Sequence, residues 1–169
     1  LSLFDYDIYN DGALRLTLDR QVVGIDRWRL AGEGTAIELS GSVDLESEEV
    51  SVGVDGNANL GVLELFFQDL RASGDAAIQA EVTGTVGQPV LTGQVTLFDG
   101  RIRPISLPHG LEAINGRVVF EPGSIRFDDV PAMMGGGPVR VGGRVGMNGF
   151  TPGELAITAT GREMQLRIF

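Results

Sequence analysis

The chain has no cysteine, one histidine and one tryptophan among 169 residues, and all thirteen of its basic residues are arginine. Without cysteine there is no disulfide, no thiolate nucleophile and no zinc–cysteine site. The compartment stays open, because an oxidising space also holds proteins that have none. The single histidine, His109, leaves a serine or cysteine triad one candidate base at most, and no nucleophile-elbow pattern accompanies it. Against the thirteen arginines stand 23 acids, for a formal charge of −10. That balance argues against nucleic acid as a partner, since affinity there comes from neutralising phosphates with lysine and arginine. Long apolar runs are also missing: none approaches the roughly 20 residues needed to span a bilayer as a helix.

What the chain has in excess is glycine, 25 residues, about twice the ordinary share. Hydrophobic residues make up 43%. The length suits one domain, or two small ones. One seven-residue pattern (apolar, any, Gly, any, Val, any, apolar) occurs three times, about fifty residues apart: Leu39 to Leu45, Leu91 to Leu97 and Val141 to Met147. Each copy has a period of two, so on a β-strand its apolar residues share a face with its glycine, Gly41, Gly93 or Gly143. A chain that repeats such a strand is expected to stack similar β units into one long sheet.

The same alternation runs through the rest of the chain. Leu14, Leu16 and Leu18 oppose Arg15, Thr17 and Asp19; Ile37, Leu39, Val43 and Leu45 form a second strand, and Val50, Val52 and Val54 a third. After a break come Ile78, Ala80 and Val82; Leu91, Val95 and Leu97; Val118 and Phe120; Ile125 and Phe127; Val139, Val141 and Val145; Leu155, Ile157 and Ala159; Leu166 and Ile168. Turn sequences at Asn10-Asp11-Gly12, Asp55-Gly56, Asp99-Gly100, Asn115-Gly116, Pro122-Gly123, Asn148-Gly149 and Pro152-Gly153 predict hairpins with strands of roughly six to ten residues. One segment differs. From Asn59 to Leu70, Leu60, Leu63, Phe67 and Leu70 fall at helical spacing, with Asn57 or Asn59 as cap and Gly74 beyond the end. This predicts a short amphipathic helix over 59–70 that lays its apolar stripe on the sheet. Glu64, Asp69 and the lack of lysine argue against its lying in a membrane surface.

The fold class is therefore all-β: a curved, glycine-rich, multi-stranded sheet with one short helix. It is read as a single segment over 1–169 of a longer protein, with sub-repeats over 13–56 and 78–169. Side-chain-free positions on an apolar face are costly in a closely packed core. Either glycine lets two backbones approach or forms a bulge, or the sheet curls so tightly that its concave face is crowded; both require strong curvature. A sheet bent into a U with an apolar concave face is either packed shut or open as an oily trough. Such a trough would suit acyl chains, whose exposure to water costs about 0.8 kcal/mol per methylene.

The stretch Gly84-Thr85-Val86-Gly87-Gln88-Pro89-Val90-Leu91-Thr92-Gly93-Gln94-Val95-Thr96-Leu97-Phe98-Asp99-Gly100 resembles the G-T-V-G-x-P-x-L-x-G-x-V-x-L-x-x-G signature of TamB-like translocation and assembly proteins, within the AsmA-like group. Leu111 to Phe120, with L-x-x-I-N-G-R-V-x-F, then Ile125-Arg126-Phe127 and Gly135 to Gly143 continue the likeness, which covers Thr83 to Val145. The resemblance implies a β-taco with a hydrophobic interior, in a long periplasmic protein anchored in the inner membrane. It also implies an outer-membrane barrel partner, and a link to phospholipid movement between membranes, outer-membrane protein assembly and protein secretion. It supplies no catalytic residue and no cofactor.

Other chemistry finds little support. His109, between Pro108 and Gly110, reads as a loop residue. Glu48-Glu49 and Asp128-Asp129 read as solvated turns, since neighbours on a strand point to opposite faces. Asp5, Asp7 and Asp11 lack the spacing and the closing glutamate of a calcium loop. Gly135 to Gly137 read as a flexible connection, without the strand–glycine–helix context or lysine of a phosphate-binding loop, and Met133 and Met134 as adaptable apolar fillers. The expected function is non-enzymatic: a hydrophobic groove for phospholipid acyl chains, lined by Leu39, Val43, Leu91, Val95, Leu97, Val139, Val141, Val145, Leu155 and Ile157. A scaffold for outer-membrane strands and a closed structural sandwich or solenoid are the alternatives.

Overall fold

The computed structural model describes residues 2–3, 6–65, 69–105 and 109–161. Two short strands, β1 (Ser2–Leu3) and β2 (Tyr6–Asp7), pair with each other. The remaining eleven form one antiparallel sheet: β3 (Tyr9–Asn10), β4 (Arg15–Asp19), β5 (Val22–Gly32), β6 (Thr35–Asp44), β7 (Val50–Asn59), β8 (Leu70–Thr85), β9 (Gln88–Pro104), β10 (Leu111–Glu121), β11 (Ser124–Met134), β12 (Gly137–Asn148) and β13 (Thr151–Gly161). From β5 to β13 every neighbour in the sheet is the neighbour in the chain, while β3 and β4 share the far edge by pairing with different parts of β5. The all-β reading thus holds, as an open meander. Leu166 and Ile168 lie outside the described residues.

The strands are longer than the turn sequences predicted, reaching 16 residues in β8 and 17 in β9. Pro122-Gly123 and Asn148-Gly149 do turn the chain, and Asn10-Asp11-Gly12 separates β3 from β4. Asp55-Gly56, Asp99-Gly100, Asn115-Gly116 and Pro152-Gly153 instead lie within strands. The reason is that Asn-Gly and Asp-Gly steps also serve left-handed backbone inside a ladder. Asp99 in β9, Ala113 in β10 and Asp129 in β11 have φ of 46°, 48° and 50°. Each lies at a register shift, and the three fall on adjacent strands. Asn115 accepts the Asp99 N–H at 3.0 Å and so fixes one of these bulges.

The repeat glycines have a related duty. Gly41, Gly93 and Gly143 have φ of 144°, 129° and 133°, and a Cβ there would sit 2.0, 2.3 and 2.1 Å from the carbonyl oxygens of Ser51, Gln79 and Ala156 on the next strand. Close backbone approach in a conformation almost confined to glycine therefore explains their place on the apolar face. The sheet curls toward that face. A methyl on Gly149, in the β12–β13 turn, would lie 3.4 Å from the Pro89 ring at the start of β9, whereas in a flat sheet strands three apart stand roughly 14 Å from each other.

The predicted helix over 59–70 is a single 3-10 helix, Leu60–Leu65. Leu70, the last residue of that span, already belongs to β8, where Leu70–Ser73 pair with Arg101–Pro104; Phe67 lies outside the described residues. Asn59 caps it, its Oδ1 accepting the Gly61 N–H at 2.8 Å, and the Glu64 carboxylate accepts the Ala72 N–H at 2.9 Å. Leu60 drops into the core with Ala72, Ala76, Leu97, Ile114, Val118, Val130, Ala132, Val139 and Val141. The buried core thus lies at one end of β8–β12.

Four outcomes are expected in thermal or urea unfolding. Gly143→Ala should lose at least about 2 kcal/mol, combining backbone strain with the carbonyl clash. Gly87→Ala, where a Cβ would meet nothing within 4 Å, should stay within about 0.5 kcal/mol of the parent. Leu60→Ala should cost about 2–5 kcal/mol as a core truncation, and Leu155→Ala, at a side chain 68% exposed, less than about 1 kcal/mol.

Candidate functional site

The registers assign every strand residue to one of two faces. Along the row Trp28, Leu39, Val54, Ala80, Gly93, Phe120, Ile125, Val145, Leu155, and along the next row Leu30, Ile37, Gly56, Ile78, Val95, Val118, Phe127, Gly143, Ile157, partners stand side by side across nine strands. From Val23 in β5 to Ala159 in β13, the inward side chains of the paired rows are apolar except Thr35. All ten residues expected to line a groove fall on this one face.

They differ in cover. Leu97, Val139, Val141 and Val145 are buried at one arm of the sheet, whereas Leu39, Val43, Leu91 and Val95 are half-buried. Leu155 and Ile157 on β13 are exposed at 68% and 47%. On the opposite edge Leu16 and Leu18, which pair with Ile25 and Val23, are exposed as well. The face is therefore packed beneath the 3-10 helix and uncovered toward both sheet edges. Trp28 adds the one indole N–H on it, buried and without a hydrogen-bond partner.

The outward face is polar and held by exposed pairs. Arg27 and Arg29 both reach Glu38 at 3.1 Å, Arg126 is clasped between Glu121 and Asp128, and Arg144 meets Glu121 at 3.1 Å. Asp128 and Asp129 do not point to opposite faces as a regular strand would require. The bulge between Phe127 and Val130 turns both outward, Asp128 to Arg126 and Asp129 to Arg140 at 2.8 Å. A depression of about 920 Å³ also lies on this side, around Pro131, Met133, Pro138, Arg140 and Thr158. Of the expected lining residues it touches only Val139.

The other sequence candidates resolve as follows. Glu48, with φ of 59°, lies in the β6–β7 turn, and Glu49 bridges to Thr85. In the same turn the Asp44 carboxylate accepts the Ser47 and Glu46 N–H groups at 3.1 and 2.8 Å, which holds its pKa below the usual value. Gly135 and Gly136, φ 57° and 82°, form a tight two-residue hairpin turn rather than a slack connection, and Gly137 opens β12. Met134 packs inward against the core while Met133 faces outward. His109 is half-buried just before β10; Pro108 lies outside the described residues, as does Asp5. No cluster of three or more histidine, aspartate or glutamate side chains suited to a metal ion occurs among the described residues, and no helix there is long and apolar enough to cross a membrane.

Signals that sequence reasoning missed are the bulge line and the inward position of Gly56, whose φ is 145°. Its partners Ile37 and Ile78 could have revealed it, because they put Asp55-Gly56 in the middle of a ladder. Comparison of the chain with protein-family models, curated proteins and solved structures finds no match.

Proposed function

We propose that this chain is a non-enzymatic, trough-forming segment that holds phospholipid acyl chains against its apolar face and passes them along the sheet, between an inner and an outer membrane. The observation that carries the reading is the apolar face that runs across nine strands, uncovered at both edges where Leu16, Leu18, Leu155 and Ile157 meet solvent. Apolar side chains left exposed in contiguous rows, rather than singly, mark a surface that receives something. An acyl chain supplies the matching chemistry: a long, flexible, non-directional partner needing no hydrogen bonds, for which burial of each methylene is worth about 0.8 kcal/mol. The wet outward face and the open sheet edge leave a head group in water. The resemblance to TamB-like proteins agrees with this reading, and would imply a periplasmic trough with an outer-membrane barrel as partner.

The test separates groove from core. Val141 is buried in the packed arm, so a charge there is expected to unfold the protein and is uninformative. Leu155→Glu/Ile157→Glu replaces side chains already in contact with solvent. That double variant should keep the parent's circular dichroism and melting temperature, yet lose most capture of a fluorescent fatty acid and most lipid retained in native mass spectrometry. A folded double variant that captured lipid as well as the parent, or a parent that captured none, would sink the proposal.

A further inference from the structure

We infer that the rim of the sheet where β8, β9 and β10 meet the 3-10 helix is a binding site for a phosphate ester. Arg71 and Arg103 are direct cross-strand partners, and Arg101 lies two residues from Arg103 on the same outward face. Like charges placed directly opposite each other across an antiparallel pair are destabilising, and local acids answer them unevenly. Glu64 meets Arg71 at 3.3 Å and Asp99 lies 3.9 Å from Arg101, both in exposed pairs. Arg103 has no ion pair among the described residues.

Arg101 and Arg103 stand between two depressions of about 290 Å³ each. One brings them together with His109 and the Gly135-Gly136 turn; the other adds Arg71 and Glu64, and Glu112 lines both. These are segments some thirty residues apart in the chain that the meander carries to the same end of the sheet. Gly110 contributes space: a Cβ there would lie 2.9 Å from the Cβ of Arg103. Guanidinium forks match the tetrahedral oxygens of a phosphate bidentately.

The opposite rim makes the contrast. Its β6–β7 turn carries Asp44, Glu46, Glu48 and Glu49, and none of the four has an ion pair among the described residues. In a chain of charge −10, an approaching anion meets these four acids at that end of the strands, and at the other, three arginines beside Glu64, Asp69, Asp99 and Glu112. Leu70, Ala72, Ile102 and Leu111 lie on the inward face of the same strand ends, so a phosphate bound here would stand beside the start of the apolar face. That the phosphate belongs to a lipid rests on the proposed trough; that the rim takes a phosphate does not.

The experiment titrates the folded 169-residue chain with sn-glycerol 3-phosphate, followed by amide resonances. Saturable shifts are expected at Arg101, Arg103, Gly135 and Gly136. Arg101→Gln/Arg103→Gln should weaken binding by about tenfold or more through loss of charge-assisted bonds, and Arg15→Gln on the far edge should not. Absence of saturable shifts at the rim, or equal affinity in the double variant, overturns the site. Flotation with phosphatidylglycerol vesicles then identifies the source. Loss in the double variant assigns a lipid head group, and unchanged flotation with lost glycerol phosphate binding assigns a free phosphate ester. Because Leu155→Glu/Ile157→Glu should still bind glycerol phosphate, failure of the trough and failure of the rim site are read separately.

Discussion

Everything in this molecule depends on one constraint: an antiparallel ladder whose register keeps one face apolar across nine strands. A slip of one residue in any hairpin would move that strand's valines and leucines into water and its arginines and acids inward. At three of its register shifts, at Asp99, Ala113 and Asp129, an extra residue in left-handed backbone lets the next apolar side chain point in again. The bulges protect the two-faced pattern while allowing the strands to bend and twist.

Curvature is the second layer of the same design. A face made only of valine and leucine would hold adjacent strands at ordinary spacing. Gly41, Gly93 and Gly143 let the neighbouring carbonyl come to where a side chain would have been. The bend brings the arm formed by β10–β12 against the 3-10 helix, and the core gathers there. Away from it the inner face stays only partly covered, since a single sheet with one short helix has no second layer to lay over its remaining rows.

The fold class and the facing of side chains were legible in the sequence because both follow from a period of two, which Leu39, Val43, Leu91, Val95, Val139 and Val141 keep faithfully. The ten residues proposed to line a groove share one face for the same reason. Strand ends were less legible. Asp55-Gly56 and Asn115-Gly116 carry the same local preference for left-handed backbone whether they turn a chain or bend it, and only pairing with a distant strand decides. The segment after Asn59 misled for a related reason: helical spacing at Leu60 and Leu63 is real, but long-range pairing of Leu70–Ser73 with Arg101–Pro104 outweighs local propensity. The arginine rim was invisible to linear reading, because Arg71, Arg103 and the Gly135-Gly136 turn are neighbours only through the meander.

The strict neighbour-to-neighbour order of the strands also makes the structure extensible. Each added hairpin would widen the sheet by about 10 Å without disturbing any existing pairing, and each lost hairpin would shorten it by as much. Such an assembly behaves as a one-dimensional array, with stability accumulating from contacts between adjacent units rather than from one global centre. Its span is thus a quantity that duplication and deletion can tune, in steps, to whatever distance has to be bridged.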